Sequence, residues 1–338
     1  MNSPLSAGPT ARTVAGPGPY RGTGLPHQAS AAALPPPPPW RTYSGGPDLE
    51  PPPDDVAETD RRLGAAVRAA LNMETAAGET AAVNAALSLR KPLLITGQPG
   101  FGRSAVAFRI ARELGLGRVL HWTVTGASVL QGALYAAGPA ERGTGVRLGP
   151  LGTALLPYGR PRVLLIEGLD RGDFDLPIEL RAVLRRGGFD IPELAEDGRA
   201  TVTTDDPGVT APVPHGAVAC HELPVTVITA VRNRIFPAEF LADCLHWEHP
   251  APTVAELTAT VRSRAGITDS ADPRLLALVA ELAEAWSADP HALGQLTVTQ
   301  ALDAVTLAAT GPWPPDETPG DVAARLLDLL RRQVPGTP

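Results

Sequence analysis

The stretch KPLLITGQPGFGRSAVAFRIA, residues 91–111, decides the fold. Residues 92–96 form a short apolar run that leads into a glycine, as a buried strand would. Gly97, Gln98, Pro99, Gly100, Phe101, Gly102, Arg103 and Ser104 follow as a glycine-rich loop, and Ala105, Phe108, Ile110 and Leu114 then recur at helical spacing. Strand, glycine loop and helix in that order are the setting of the phosphate-loop pattern G-x-x-x-x-G-K-[ST]. Every element of the pattern is present except the lysine, whose place is taken by Arg103. The loop's main-chain amides can still face an anion, and the helix N-terminus still offers its partial positive charge.

Working outward, alternating strand and helix patterns surround this unit. Residues 119–125 (VLHWTVT), 162–167 (RVLLIE), 224–230 (PVTVITA) and 245–249 read as strands. The run 162–167 is apolar throughout, as expected of a strand covered on both faces, and ends in Glu167 at the edge where open α/β sheets bind ligands. Helices are expected over 60–89, with a break at Gly78, and over 125–134, 151–158, 175–186 and 237–245. Segments 201–204 and 217–222 read as a hairpin, and 138–149 as an irregular turn-rich stretch. After residue 252 the pattern is purely helical, over 254–264, 273–286, 297–310 and 319–333, with Pro and Gly clusters between. The expected fold class is an α/β phosphate-loop NTPase: an αβα core on a parallel sheet over residues 60–251, then a helical lid over 252–335.

Residues 1–59 are rich in Pro, Gly and Ala, with proline runs at 35–39 and 51–53. Such composition lacks apolar periodicity, and it is expected to be a mostly disordered tail. A docking arm anchored by Trp40 and Tyr43 is the alternative.

Composition sets bounds on function. Of 338 residues, 43% are hydrophobic but only 4% aromatic, so aliphatic packing must build the core. The net charge of −7 carries no basic stripe, which argues against a nucleic-acid partner. No run of about 18 apolar residues suggests a membrane span, and no leader pattern opens the chain. Two cysteines, Cys220 and Cys244, make no disulfide framework and suit a reducing cytoplasm. With His215, His221, His246 and His249 they match no standard zinc spacing. Asp170, Asp173 and Asp175 read as caps and solvated charge after the strand. Lys91 is the one lysine among 29 Lys and Arg residues, and it precedes the first strand, at the end away from the phosphates.

Four places together resemble the MoxR-like branch of the AAA+ ATPases: the loop Gly97–Ser104, VLLIEGLD at 163–170, IELRAVLRRGGFDIPEL at 178–194 and VITAVRNRIFPAEFLADCL at 227–245. The resemblance implies a five-stranded core with a helical lid, and ATP or ADP with Mg²⁺ as cofactor. It implies other AAA+ subunits in an oligomer as partners, and a protein client, in this family often one with a von Willebrand A-type domain. It assigns nucleotide contact to Gly97 through Ser104 and to Glu167, with Ser104 and Glu167 nearest the Mg²⁺. The family's catalytic positions are all substituted. The loop lysine is Arg103, a larger planar group that is no conservative replacement. The Walker-B glutamate is Gly168, the sensor asparagine is Val231, and the paired finger arginines fall on Ala242 and Asp243. Arg232, Asn233 and Arg234 remain nearby. Three readings stay open: a nucleotide-binding subunit that has lost catalysis and regulates or scaffolds a remodelling assembly; a slow ATPase; and an interaction module that binds no nucleotide.

Overall fold

The computed structural model describes residues 18–26, 34–63, 78–97, 100, 102–138, 145–250, 253–288, 298–310 and 317–332. Its helices are α1 (Val56–Leu63), α2 (Glu79–Leu89), α3 (Ala105–Leu114), α4 (Leu130–Leu134), α5 (Pro150–Ala154), α6 (Leu176–Arg186), α7 (Ala238–Asp243), α8 (Val254–Ala265), α9 (Pro273–Ala288), α10 (Val298–Thr310) and α11 (Pro319–Arg332). Its strands are β1 (Leu93–Gly97), β2 (Leu120–Thr123), β3 (Tyr135–Ala137), β4 (Val146–Leu148), β5 (Val163–Glu167), β6 (Gly188–Asp190), β7 (Ala200–Thr203), β8 (Thr210–Val213), β9 (Ala217–Ala219), β10 (Val225–Val231) and β11 (Leu245–Glu248).

The central sheet has five parallel strands in the order β11-β1-β10-β5-β2. β1, flanked by two parallel partners, is buried at all five positions. This is why its sequence is a continuous apolar run. The register sets Gly97 beside Val231, and Thr229 beside Glu167, which lies beside Thr123. The carboxyl ends of four strands therefore meet at one rim. One apolar core lies on the α2 and α3 face of the sheet and holds Val83, Leu87, Phe108 and Ile110. A larger one lies on the other face around Leu148, Leu164, Ile166 and Leu180. Helices α8–α11 close around a third core containing Leu257, Leu278, Val305 and Leu326. α8 starts with a full capping box, Thr253 and Glu256 bonding each other's backbone amides, and stops at Gly266. The fold is an α/β phosphate-loop domain with a helical C-terminal part.

Three expectations are corrected. The hairpin joins β7 to β8, not 201–204 to 217–222. β9 instead pairs with β6, immediately after α6. β4, within the stretch expected to be irregular, bridges β3 to β7. Residues 125–134 form a turn closed by Ser128 Oγ on the Thr125 amide, and only then the short α4.

The described parts of the Pro-rich segment are packed, contrary to the disordered tail. Tyr20 is fully buried; its hydroxyl donates to Glu79 Oε1 at 2.5 Å and its backbone exchanges two hydrogen bonds with the Asn84 amide. The amides of Arg21 and Gly24 donate to Glu113. Farther on, Pro35 O accepts from Arg90, Gly45 exchanges bonds with Cys220 O and His221, and Leu49 bridges to Tyr158. Isolated polar anchors hold this strap where periodic burial does not, which is why composition misses it. Tyr43 packs beside Gly187, whereas Trp40 stays 78% exposed. Residues 1–17 and 27–33 lie outside the described residues.

Candidate functional site

The site grows from the junction of β1 and α3. Gly97 has φ +154°, and a Cβ there would stand 3.0 Å from the His249 carbonyl oxygen, so the chain can leave β1 at this angle only as glycine. Gly100 and Gly102 continue the loop, and the Ala105 amide donates to Gly102 O at 2.9 Å, closing the first turn. Gln98, Pro99 and Phe101 lie outside the described residues. The helical C-terminal part reaches this loop directly: the Val298 amide, first in α10, donates to Gly100 O at 3.3 Å.

Ser104 and Glu167, expected to sit nearest a metal, are brought together. Ser104 Oγ donates to Glu167 Oε1 at 2.5 Å. The other carboxylate oxygen is 2.8 Å from His121 Nε2, and Thr123 Oγ1 is 3.3 Å from the same nitrogen. His121 and Thr123 stand on one face of β2 because strand side chains alternate. The His121 hydrogen bond, aided by that of Ser104 and opposed by burial, pulls the Glu167 carboxyl down to about 2. His121 is a site residue the sequence reading missed. Its partner is distant along the chain, and only the β2–β5 register brings them together.

Arg103 turns its guanidinium inward and donates to the Ala230 carbonyl at the end of β10. Burial lowers its pKa, with Asp170 and Glu167 acting in the opposite direction. The residue keeps its charge near the loop but spends one donor on backbone.

The substituted positions are each put to another use. Gly168 has φ +78°, a left-handed turn, and its amide donates to Thr229 O and Thr229 Oγ1, each at 3.1 Å. No side chain projects from the place where the resemblance puts the water-polarising carboxylate. Asp170 Oδ1, the next acidic group, accepts from the Val231 amide at 3.0 Å, a structural cap. Asp173 accepts from the amide of Phe174. Arg232 is paired with Glu248, and Arg234 donates to Gly172 O at 3.4 Å. Asn233 is exposed beside them.

Ala242 and Asp243 lie just before β11, at the opposite rim of the sheet from the loop. Asp243 Oδ2 accepts from Arg181 Nε at 2.7 Å, joining α7 to α6, and Ala242 O accepts from Lys91 Nζ at 2.9 Å. Lys91 therefore stands at the wrong end of β1 to serve the loop. Cys220 and Cys244 are buried free thiols, and burial pushes each up to about 12.

A phosphate-bearing ligand fits these residues. The loop, the first turn of α3 and Arg103 offer positive charge, and the touching Ser104 and Glu167 oxygens are a hard-cation donor set.

No family model matches the sequence, and no curated protein matches it. Among solved structures, the chain is similar to the RuvB Holliday junction branch migration motor of Thermotoga maritima, with 17% identity over 75% of this chain and 67% of that one, and a TM-score of 0.41. It is also similar to NtrX from Brucella abortus, with 16% identity over 84% of this chain and 59% of that one, and a TM-score of 0.47. A structure of NtrX in complex with ATP matches at 16% identity over 82% and 62%, with a TM-score of 0.43. Among the described residues, no helix is long and apolar enough to cross a membrane.

Proposed function

We propose that this chain is a MoxR-like AAA+ protein that binds ATP or ADP, has lost efficient hydrolysis, and serves as a regulatory or scaffold subunit of a protein-remodelling assembly. The observation that carries this reading is the end of β5. Glu167 is tied to Ser104 and His121, and the chain turns left-handed at Gly168 without a side chain. The cradle for an anion is kept, and the group that would activate water is gone.

Gly97 to Ser104 would hold the phosphates, and Ser104 with Glu167 would face a Mg²⁺ carried by the nucleotide. Bound ATP would supply a reactive phosphoanhydride bond. This chain's residues bind and orient it, but none takes a proton from water. A positioned general base contributes roughly 10²–10⁴ in rate. An arginine finger adds roughly 10³–10⁵. Arg232 and Arg234, one of which a slow ATPase would need, are engaged with Glu248 and Gly172 O. The partners of this reading are other AAA+ subunits and a protein client, in this family often of the von Willebrand A type, in the cytoplasm.

The test is calorimetric titration with ADP and ATP, with and without Mg²⁺, beside a phosphate-release assay. Binding that weakens in Ser104→Ala, with release no faster than a blank, is the expected result. Release that persists in pure protein and vanishes in Ser104→Ala overturns it in favour of a slow ATPase. One observation favours the third reading, an interaction module: Arg103 Nη1 donates to Ala230 O, so one donor of the loop arginine is spent on backbone. No heat of binding at millimolar ADP would establish that reading instead.

A further inference from the structure

At the rim of the sheet opposite the phosphate loop, a cavity of about 190 Å³ opens between the strap, α6 and α7. Leu184, Leu223, Phe240 and Cys244 line its buried side, each at most 8% exposed. Trp40 and Tyr43 line it from the strap. This part of the strap is tied down on both sides of the tryptophan. The Arg41 amide donates to Pro38 O at 2.8 Å, and Thr42 Oγ1 donates to Pro39 O at 3.0 Å, closing a turn around it. Arg41 Nη1 reaches Arg90 O at 3.0 Å, and the Tyr43 ring lies against Gly187, where an added Cβ would collide with it. The turn is fixed, yet the indole it carries is 78% exposed. A large aromatic left in water beside an apolar cavity is a feature of interaction surfaces, where tryptophan supplies much contact area at little entropy cost.

Charge decides what would cover it. Arg41, Arg181 and Arg185 line the cavity, against the single carboxylate of Asp243. Asp243 is committed to Arg181 at 2.7 Å and is 3.9 Å from Arg185, whose side chain is 64% exposed. Glu239, 71% exposed, takes a second bond from Arg181 at 3.3 Å. Lys91 adds a further cation, with Nζ on Ala242 O. The neighbouring Arg90–Glu222 pair is balanced. Four cations thus face two carboxylates around an apolar hollow, in a chain whose net charge is −7. Arg41 and Arg185 keep guanidinium donors that can fork onto a carboxylate. A continuous phosphate backbone would also meet Asp243 and Glu239, whereas a peptide can set its carboxylates at intervals that avoid them.

We infer that this cavity is a docking site for an acidic segment of a partner protein, which inserts an aromatic side chain beside Trp40 while its carboxylates meet Arg41 and Arg185. The inserted ring supplies the apolar anchor and the charges supply register and encounter rate, the usual division of labour in a small interface. The inference goes beyond the nucleotide reading and does not depend on it, because the cavity lies at the other end of the sheet from the loop. The strap then has a use besides covering the core: it carries one wall of the site.

The test is fluorescence anisotropy with the full chain. The probe is a labelled glutamate-rich peptide with one central phenylalanine. Companion probes replace the phenylalanine with alanine or the glutamates with lysine, and a labelled uridine oligonucleotide stands for nucleic acid. The variants are Trp40→Ala, Trp40→Phe and Arg185→Glu, with Arg186→Gln as a control on the same helix. The acidic phenylalanine peptide is expected to bind wild type and Arg186→Gln alike, and to bind Trp40→Ala and Arg185→Glu roughly tenfold or more weakly. Trp40→Phe should fall between, added salt should weaken binding, and the alanine and lysine probes should bind poorly. ADP titrations should be the same in all variants, which separates this site from the loop. Should Trp40→Ala fail to fold, Arg185→Glu carries the comparison. Equal peptide affinity in wild type and the site variants overturns the inference. So does a lysine probe that binds as well as the acidic one, a preference for the oligonucleotide, or no binding of the acidic probe at millimolar concentration. Self-association of wild type that Trp40→Ala abolishes and the peptide does not disturb assigns the surface to a second copy of this chain, and also overturns it.

Discussion

Ser104 and Glu167, 63 residues apart, share a 2.5 Å hydrogen bond at the mouth of the loop. The contact joins the start of α3 to the end of β5 across the sheet rim, and His121 completes it from β2. A carboxylate held this way by two donors is an acceptor ready for a hard cation, but it is poorly placed to act as a base, since its proton affinity is driven down.

The first prediction follows from that depression. The Glu167 carboxyl lies at about 2 in the folded protein, below its ordinary value of 4.5, chiefly through the His121 hydrogen bond. A group whose folded pKa is depressed contributes stability that is fully present above the unfolded pKa and is lost as pH falls through the folded one. The stability difference between wild type and Glu167→Gln, from urea unfolding, is therefore expected to be largest above about pH 5 and to shrink toward pH 2. Other carboxylates titrate alike in both proteins and cancel. A difference that stays constant over this range would sink the assignment.

Gly168 supplies the second prediction. At φ +78° a side chain costs roughly 1–2 kcal/mol. Gly168→Ala should lose about that much in denaturant unfolding, and Gly168→Asn less, since asparagine tolerates this region better. The Arg171 side chain, 3.3 Å from an added Cβ, can move aside and is not the main cost. It follows that Gly168→Glu alone should not restore ATP turnover, because the backbone would have to leave the left-handed region before the carboxylate could reach water. Undiminished stability of Gly168→Ala would remove the conformational explanation.

Features bounded by local pattern were readable from the sequence. β5 is an unbroken apolar run that stops at Glu167, and β1 and β10 are interrupted only by threonine. Helices α8–α11 keep helical spacing between Pro and Gly clusters, and α8, α9 and α11 begin at the residues expected of them. Features depending on distant partners were not readable. β8 (TAPV) carries a proline and only four residues, so its claim to pair with β7 over β9 is settled by the bulk of the fold rather than by its own sequence. Tyr20 and His121 have no local signal, because each acquires its role from a residue at least 46 positions away.

The strap gives the third prediction. Tyr20 buries a whole ring and also donates to Glu79, which Arg109 holds with two bonds of 2.6 and 2.9 Å. Tyr20→Ala should cost about 3 kcal/mol or more, from lost burial and the cavity left. Tyr20→Phe should cost about 1 kcal/mol, since Glu79 keeps its arginine. Measured by thermal and chemical unfolding, an alanine variant as stable as wild type would show that this part of the chain is not held on the core in solution.

The last prediction concerns the β7–β8 hairpin, which is fixed to the sheet by a buried charge pair. Arg162, just before β5, donates to both oxygens of Asp206 at 2.7 and 2.9 Å, and the two side chains are 0% and 1% exposed. Arg118 Nη1 adds a bond of 3.0 Å to the same carboxylate, and the Arg162 guanidinium stacks on Tyr158 at 4.9 Å. Removing one partner strands a buried charge, which costs roughly 3–5 kcal/mol, whereas replacing both with apolar groups can be neutral. Asp206→Ala is therefore expected to be severely destabilised, and Asp206→Leu combined with Arg162→Met to recover most of the loss. The desolvation cost of the stranded guanidinium, rather than the strength of the pair, is what sets the size of the effect. Denaturant unfolding of the two variants separates these terms: a double variant as unstable as Asp206→Ala would assign the loss to the geometry of the hairpin itself.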